Sequence, residues 1–166
     1  MKVIVTYMSQ TGNTRKVAEA IFEEIRTEKE LKALDEIDSL QGYDLAFVGF
    51  PIQIYGPAQP AKAFLEEHAA GKDIVLFVTH ASPEDDKLLL QWLDACRAVV
   101  VGGNVIGLFH CRGELSEKVA DMMKSSGDPD LIAWAEERPE TLGQPDATRL
   151  ERARAFAREI MKDYSV

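Results

Sequence analysis

The chain has little cysteine: Cys96 and Cys111 are the only two in 166 residues, and they form neither a CxxC pair nor a cluster with the three histidines. A structural zinc or an iron–sulfur centre needs three or four thiolates or imidazoles at close spacing, so neither is expected. Two thiols with no obligatory bridge fit a reducing compartment. Cations are short too, with 19 Lys and Arg against 28 Asp and Glu, a net charge of −9. Neutralising nucleic-acid phosphates takes clustered Lys and Arg, so no nucleic-acid partner is expected. The two most apolar stretches, 45–56 and 98–111, are interrupted by Gly, Pro, Gln or Asn. They are too short to span a bilayer, and no cleavable apolar leader opens the chain, so no membrane insertion and a cytoplasmic location are expected.

What is present is an ordinary globular composition, 46% hydrophobic and 28% charged, in a length that fits one domain over 1–166. Apolar β-branched runs alternate with helical periodicities. Strands are expected at 2–7, more weakly at 34–37, then at 43–50, 73–80 and 104–111. Helices are expected at 13–26, from Pro60 through Leu65, after the Ser82-Pro83-Glu84-Asp85 cap, and over 146–162. Between them, 112–145 reads as a polar excursion with short helical patches. Such alternation implies a three-layer α/β fold, a doubly wound five-stranded parallel sheet with right-handed crossovers. Ligands of such sheets bind beyond the carboxyl ends of the strands.

Four loops lie there. The first, Ser9-Gln10-Thr11-Gly12-Asn13-Thr14, offers three hydroxyls, two amides and a glycine just before a helix. With the helix N–H groups it makes a phosphate nest without a cation. It lacks the lysine of GxxxxGK[ST] and the glycines of GxGxxG, which disfavours nucleotide hydrolysis and the standard dinucleotide fingerprint. A helix cap with surplus polar residues is the plainer alternative. The second, Pro51-Ile52-Gln53-Ile54-Tyr55-Gly56, is apolar for a loop and suits a flat ligand. Alternatively, Ile52 and Ile54 fold back into the core. In the third, Thr79-His80-Ala81-Ser82, backbone N–H groups are expected to meet a polar ring edge, and His80 reads as a partly exposed loop residue. The fourth runs from Cys111 through Arg112 and Gly113 to Glu114. Arg112 suits an anionic ligand or Glu114, and Cys111 reads as buried at a strand end.

Ser9-x-Thr11-Gly12-x-Thr14, between a strand and a helix, resembles the phosphate-binding loop of flavodoxins, whose pattern is Ser/Thr-x-Thr-Gly-x-Thr. Residues 51–65 resemble the family's second flavin loop and the helix after it. The resemblance implies sheet order 2-1-3-4-5 and non-covalent FMN. Ser9, Thr11, Gly12, Asn13 and Thr14 would hold the phosphate, with 51–56 and 79–82 beside the ring. Many flavodoxins stack the ring between a Trp of the second loop and a Tyr of the third. This chain departs, having only Tyr55 and His80 there. Trp134 and Leu131, apolar in the polar 112–145 stretch, are expected near the flavin or in a docking surface, or else packed beneath the last helix.

The function implied is FMN-dependent electron transfer with a redox partner protein docked electrostatically on the acidic surface. The alternative is an FMN-dependent NAD(P)H oxidoreductase acting on a quinone or similar small molecule. A response regulator of the same topology would need a carboxylate where the central strand ends, and Gly49-Phe50-Pro51 stands there instead.

Overall fold

A computed structural model describes residues 1–164. Among these residues six strands form: β1 Lys2–Tyr7, β2 Glu28–Ala33, β3 Leu45–Gln53, β4 Gly56–Pro57, β5 Asp73–His80 and β6 Asn104–Arg112. Seven helices accompany them: α1 Asn13–Glu24, α2 Gln59–His68, α3 Lys87–Ala98, α4 Glu117–Lys124, α5 Pro129–Glu136, α6 Arg138–Thr141 and α7 Ala147–Tyr164. The five long strands pair in parallel in the order β2-β1-β3-β5-β6. That is the expected 2-1-3-4-5 order, with two-residue β4 adding a number as the antiparallel return of a hairpin on β3.

Each face of the sheet carries its own core. On one side Leu65 of α2 and Leu89, Leu93 and Cys96 of α3 pack on Ile4, Val48, Phe50 and Leu76. On the other, Val17 and Ile21 of α1 and Ala153 and Ala157 of α7 pack on Val5, Phe47 and Phe77. Gly49 in the central strand is a packing requirement, since a Cβ there would lie 1.8 Å from the Phe77 ring.

Two elements differ from expectation. The second strand occupies Glu28–Ala33, and Leu34–Glu36 forms a 3₁₀ turn. This edge strand is half exposed, so it has no apolar run; Lys2 and Lys32 instead flank Glu30 at 2.7 and 2.6 Å. The third helix begins at Lys87, capped by Asp86, whose carboxylate accepts the Leu88 N–H at 2.9 Å. Ser82 and Pro83 lie in the loop before it, and Glu84 is drawn away to Arg149 at 2.8 Å and Arg152 at 3.2 Å on α7.

Candidate functional site

Strand register sets the site. Pro51 lies beside Thr79 and Thr79 beside Cys111, so the loops after β3, β5 and β6 leave the sheet in one row. Gly113 N–H donates to the His80 carbonyl at 2.7 Å, tying the third and fourth loops together. At the head of α1, Gly12 turns the chain with φ 94°, and Ser9 Oγ accepts the Gly12 N–H at 3.0 Å and the Arg15 N–H at 3.4 Å. No protein acceptor among the described residues takes the Asn13 or Thr14 N–H, two of the orphan donors of a helix start. Behind them the Thr14 and Thr79 hydroxyls meet at 2.8 Å, and Asn13 Nδ2 donates to the Glu114 carbonyl at 2.9 Å. The nest is thus fixed from behind and open in front, and Arg15 turns away to Glu19 at 2.9 Å.

These loops line one cavity of about 680 Å³, within the range of about 300–1,000 Å³ typical of small-ligand sites. Ser9, Gln10, Thr11, Asn13, Thr14, residues 51–55, residues 79–82 and Gly113 all reach it. Gly12 and Gly56 do not line it: one shapes the loop backbone, the other closes the hairpin opposite Gln53. Cys111 does not line it either. Its side chain is fully buried, and burial pushes its thiol up to about 12, leaving it without thiolate character.

The second loop is a two-residue hairpin turn whose central residues both have positive φ, Ile54 at 47° and Tyr55 at 66°. Such turns favour Asn-Gly, and a β-branched residue there is strained. Ile54 is 89% exposed, so it does not fold back into the core, whereas Ile52 packs against it. Tyr55 turns onto two tryptophans, its ring centroid 5.7 Å from Trp92 of α3 and 5.6 Å from Trp134 of α5, while the tryptophans stand 5.7 Å apart.

The polar excursion therefore supplies a wall. Val119, Met122 and Met123 of α4 and Leu131 and Trp134 of α5 line the cavity. Trp134 and Leu131 stood out in the sequence as apolar residues in a polar stretch; Met122 and Met123 had no such signal. Trp92 keeps the apolar period of its helix with Leu89, Leu93 and Cys96, and only the fold brings it to Tyr55.

Two expectations about polar residues are corrected. His80 is no partly exposed loop residue: it ends β5, is 6% exposed, and its Nε2 lies 3.0 Å from Nδ1 of His110. Burial first, and His110 second, push its pKa down to about 3, so it is neutral. Arg112 does not pair with Glu114. Its Nε donates to the Ala81 carbonyl at 2.9 Å and its Nη2 lies 3.8 Å from Glu137, while Glu114 accepts the Gly143 N–H at 3.0 Å.

A family model described as a flavodoxin domain matches residues 4–158. The chain belongs to this flavodoxin domain family. Flavodoxin-like domain-containing protein BilS of Clostridioides difficile (strain CD3) is 29% identical over 176 residues, covering 100% of this chain and 99% of the relative. A flavodoxin from the domain Archaea superposes with a TM-score of 0.64 at 17% identity over all of both chains. A flavoprotein of Lactobacillus acidophilus NCFM, solved in complex with FMN, has a TM-score of 0.51 at 25% identity, covering 66% of this chain and 91% of that one. As in other flavodoxin-like folds, the parallel sheet is flanked by helices on both faces. Among the described residues no helix is long and apolar enough to cross a membrane, and no group of three or more His, Cys, Asp or Glu is placed to hold a metal ion.

Proposed function

We propose that the chain binds FMN non-covalently and carries electrons to and from a redox partner protein. The observation that carries this reading is the convergence, in one cavity, of an uncharged phosphate nest with an apolar slot. The open N–H groups of Asn13 and Thr14 and the hydroxyls of Ser9 and Thr11 suit a phosphate group. Pro51, Ile52 and Tyr55 on one side and residues 79–82 on the other suit a flat ring with a polar edge. Family membership and the FMN complex of the L. acidophilus relative support FMN as the cofactor.

When bound, FMN supplies the redox chemistry, and the protein supplies binding, orientation and electrostatics. Thr14 and Thr79 hold the nest rigid through their shared hydrogen bond. Trp134 and Trp92 back Tyr55, so the excursion supports the ring loop where a third-loop aromatic is lacking. The net charge of −9 favours transient docking on a basic patch of the partner.

The purified protein is expected to be yellow and to release FMN on denaturation. A colourless protein that fails to take up added FMN would remove the reading. Stopped-flow mixing with NADH or NADPH alone then separates carrier from enzyme. Dependence on a reductase is expected; fast direct reduction would instead favour an NAD(P)H oxidoreductase with a small-molecule acceptor.

A further inference from the structure

The two edges of the sheet are built differently. At one edge β2 puts four charges, Glu28, Lys29, Glu30 and Lys32, into six residues, which guards it against pairing with another strand. At the other edge β6 runs from Asn104 through Val105, Ile106, Leu108 and Phe109 with no Asp, Glu, Lys or Arg before Arg112. Arg112 itself turns its guanidinium back to the Ala81 carbonyl. Gly113 N–H donates into the sheet, so by alternation the N–H and C=O groups of Leu108 and His110 point out of it. Val105, Ile106 and Leu108 are each partly exposed along this edge. Leu90 of α3, 66% exposed, shares a helix flank with Arg97, whose charge is felt at His110, so it stands beside the same edge.

We infer that β6 pairs antiparallel with β6 of a second copy of this chain, about a two-fold axis normal to the sheet at Leu108. The outward backbone groups allow an axis at Leu108 or at His110, and α7 decides between them. Phe156 of α7 would lie 3.1 Å from a Cβ on Gly107, and its ring is 5.7 Å from Phe109, so it sits level with Leu108. Arg152 lies over Phe109, toward the end of the strand, and Ile160 lies against Gly107, toward its start. The helix therefore runs antiparallel to β6. Arg154 and Arg158 turn to Glu23 and Glu24 of α1, so the opposite flank of α7, with Arg152, Phe156, Glu159 and Asp163, faces the open edge. Glu159 and Asp163 are exposed, and no ion pair among the described residues uses them.

An axis at Leu108 sets Arg152 of each copy against Glu159 of the other, about one turn either side of Phe156. An axis at His110, which lies close to Arg152, would set Arg152 against its own copy. In the Leu108 register the two Leu108 residues exchange both backbone hydrogen bonds, and Phe109 stands opposite Gly107, which has no side chain to oppose it. A bulge at Ile106 limits the joined ladder to the stretch from Ile106 to His110, so the apolar edge and the helix flanks supply the rest of the contact. The net charge of −9 opposes self-association, and the Arg152–Glu159 pairs offset it where the copies meet. The same patch is used by both copies, so the assembly closes at two. Leu108, Arg152, Phe156 and Glu159 do not line the cavity, so the dimer leaves both cavities free and does not depend on what they hold.

Sedimentation equilibrium of the full chain is expected to show a reversible dimer, twice the 18.5 kDa of one copy, with a dissociation constant below about 100 μM. Amide exchange is expected to slow at Leu108 and His110 as concentration rises, since both N–H groups face solvent in the single copy. Glu159→Arg, at an exposed position with no partner, is expected to weaken the dimer by about tenfold or more, and Arg152→Glu added to it to restore the affinity. Leu108→Pro removes an outward N–H but no bond to β5, and is expected to abolish the dimer, with circular dichroism reporting the fold. If that variant does not fold, the charge reversal and its rescue decide. A chain still monomeric at about 100 μM would overturn the pairing. So would a dimer indifferent to the charge changes, or one whose Leu108 amide exchanges freely. A monomeric chain that instead takes a strand of another protein at β6 would overturn it as well.

Discussion

The hydroxyls of Thr14 and Thr79 meet at 2.8 Å across 65 positions of sequence, both buried, one at the head of α1 and the other near the end of β5. This bond joins the proposed phosphate nest to the strand that carries the third loop, so the two ends of the proposed cofactor site are held by one contact. Thr79→Val leaves the Thr14 hydroxyl buried and unpaired, at an expected cost of about 1–3 kcal/mol by denaturant unfolding. Thr14→Val with Thr79→Val together is expected to cost less than the sum of the single changes, because no polar atom is then left alone. Additive losses would show that the pair is not coupled.

Gly113 stands against Asn13: a Cβ built on it would lie 2.6 Å from Asn13 Nδ2 and 3.0 Å from its Cβ. Gly113→Ala should therefore push Asn13 off the Glu114 carbonyl and misplace the nest. We expect FMN affinity to fall by about tenfold, equivalent to about 1.4 kcal/mol. Fluorescence titration of the apoprotein with FMN measures it, and an unchanged affinity would place the phosphate elsewhere.

Ile54 stores backbone strain in the open. Its φ of 47° is in the left-handed region, and its exposed side chain recovers little by burial. Ile54→Asn, which tolerates this conformation, is expected to raise stability by about 0.5–1 kcal/mol in the apoprotein. If it lowers the thermal midpoint instead, the isoleucine has an apolar contact in solution that offsets the strain.

His80 makes stability depend on pH. Its folded pKa, about 3, lies below the ordinary value of 6.5, so between these the unfolded chain binds a proton that the native state does not. Stability is therefore fully present above about 6.5 and lost as pH falls toward 3, by up to about 1.4 kcal/mol per unit. His110 shifts in the same direction. Urea midpoints between pH 7.5 and 5 read this before carboxylates such as Glu30, held down to about 2 chiefly by Lys2 and Lys32, begin to titrate. His80→Gln should flatten the profile over that range; an equal slope in the variant would assign the dependence elsewhere.

Much of the architecture was legible along the chain because each signal is local. The apolar runs of β1, β3 and β5 mark strands buried on both faces, and the period of α1 marks a helix with one apolar face. The nest was legible for the same reason: a helix start preceded by small polar residues carries its donors within six positions. The edge strand β2 was misplaced because half-exposed strands need no apolar run, and the start of α3 because Asp86, an equally good cap four residues on, takes the role expected of Ser82.

By itself, then, the sequence determined the alternation of strands and helices, the small polar helix start proposed as a phosphate nest, and the net negative charge, all properties of neighbours along the chain or of composition. Only the tertiary structure decided that Tyr55 meets Trp92 and Trp134, that Arg112 turns to Ala81 and Glu137, and that His80 faces His110. Those pairs lie on different elements, and strand register and helix packing, which no local pattern encodes, bring them together.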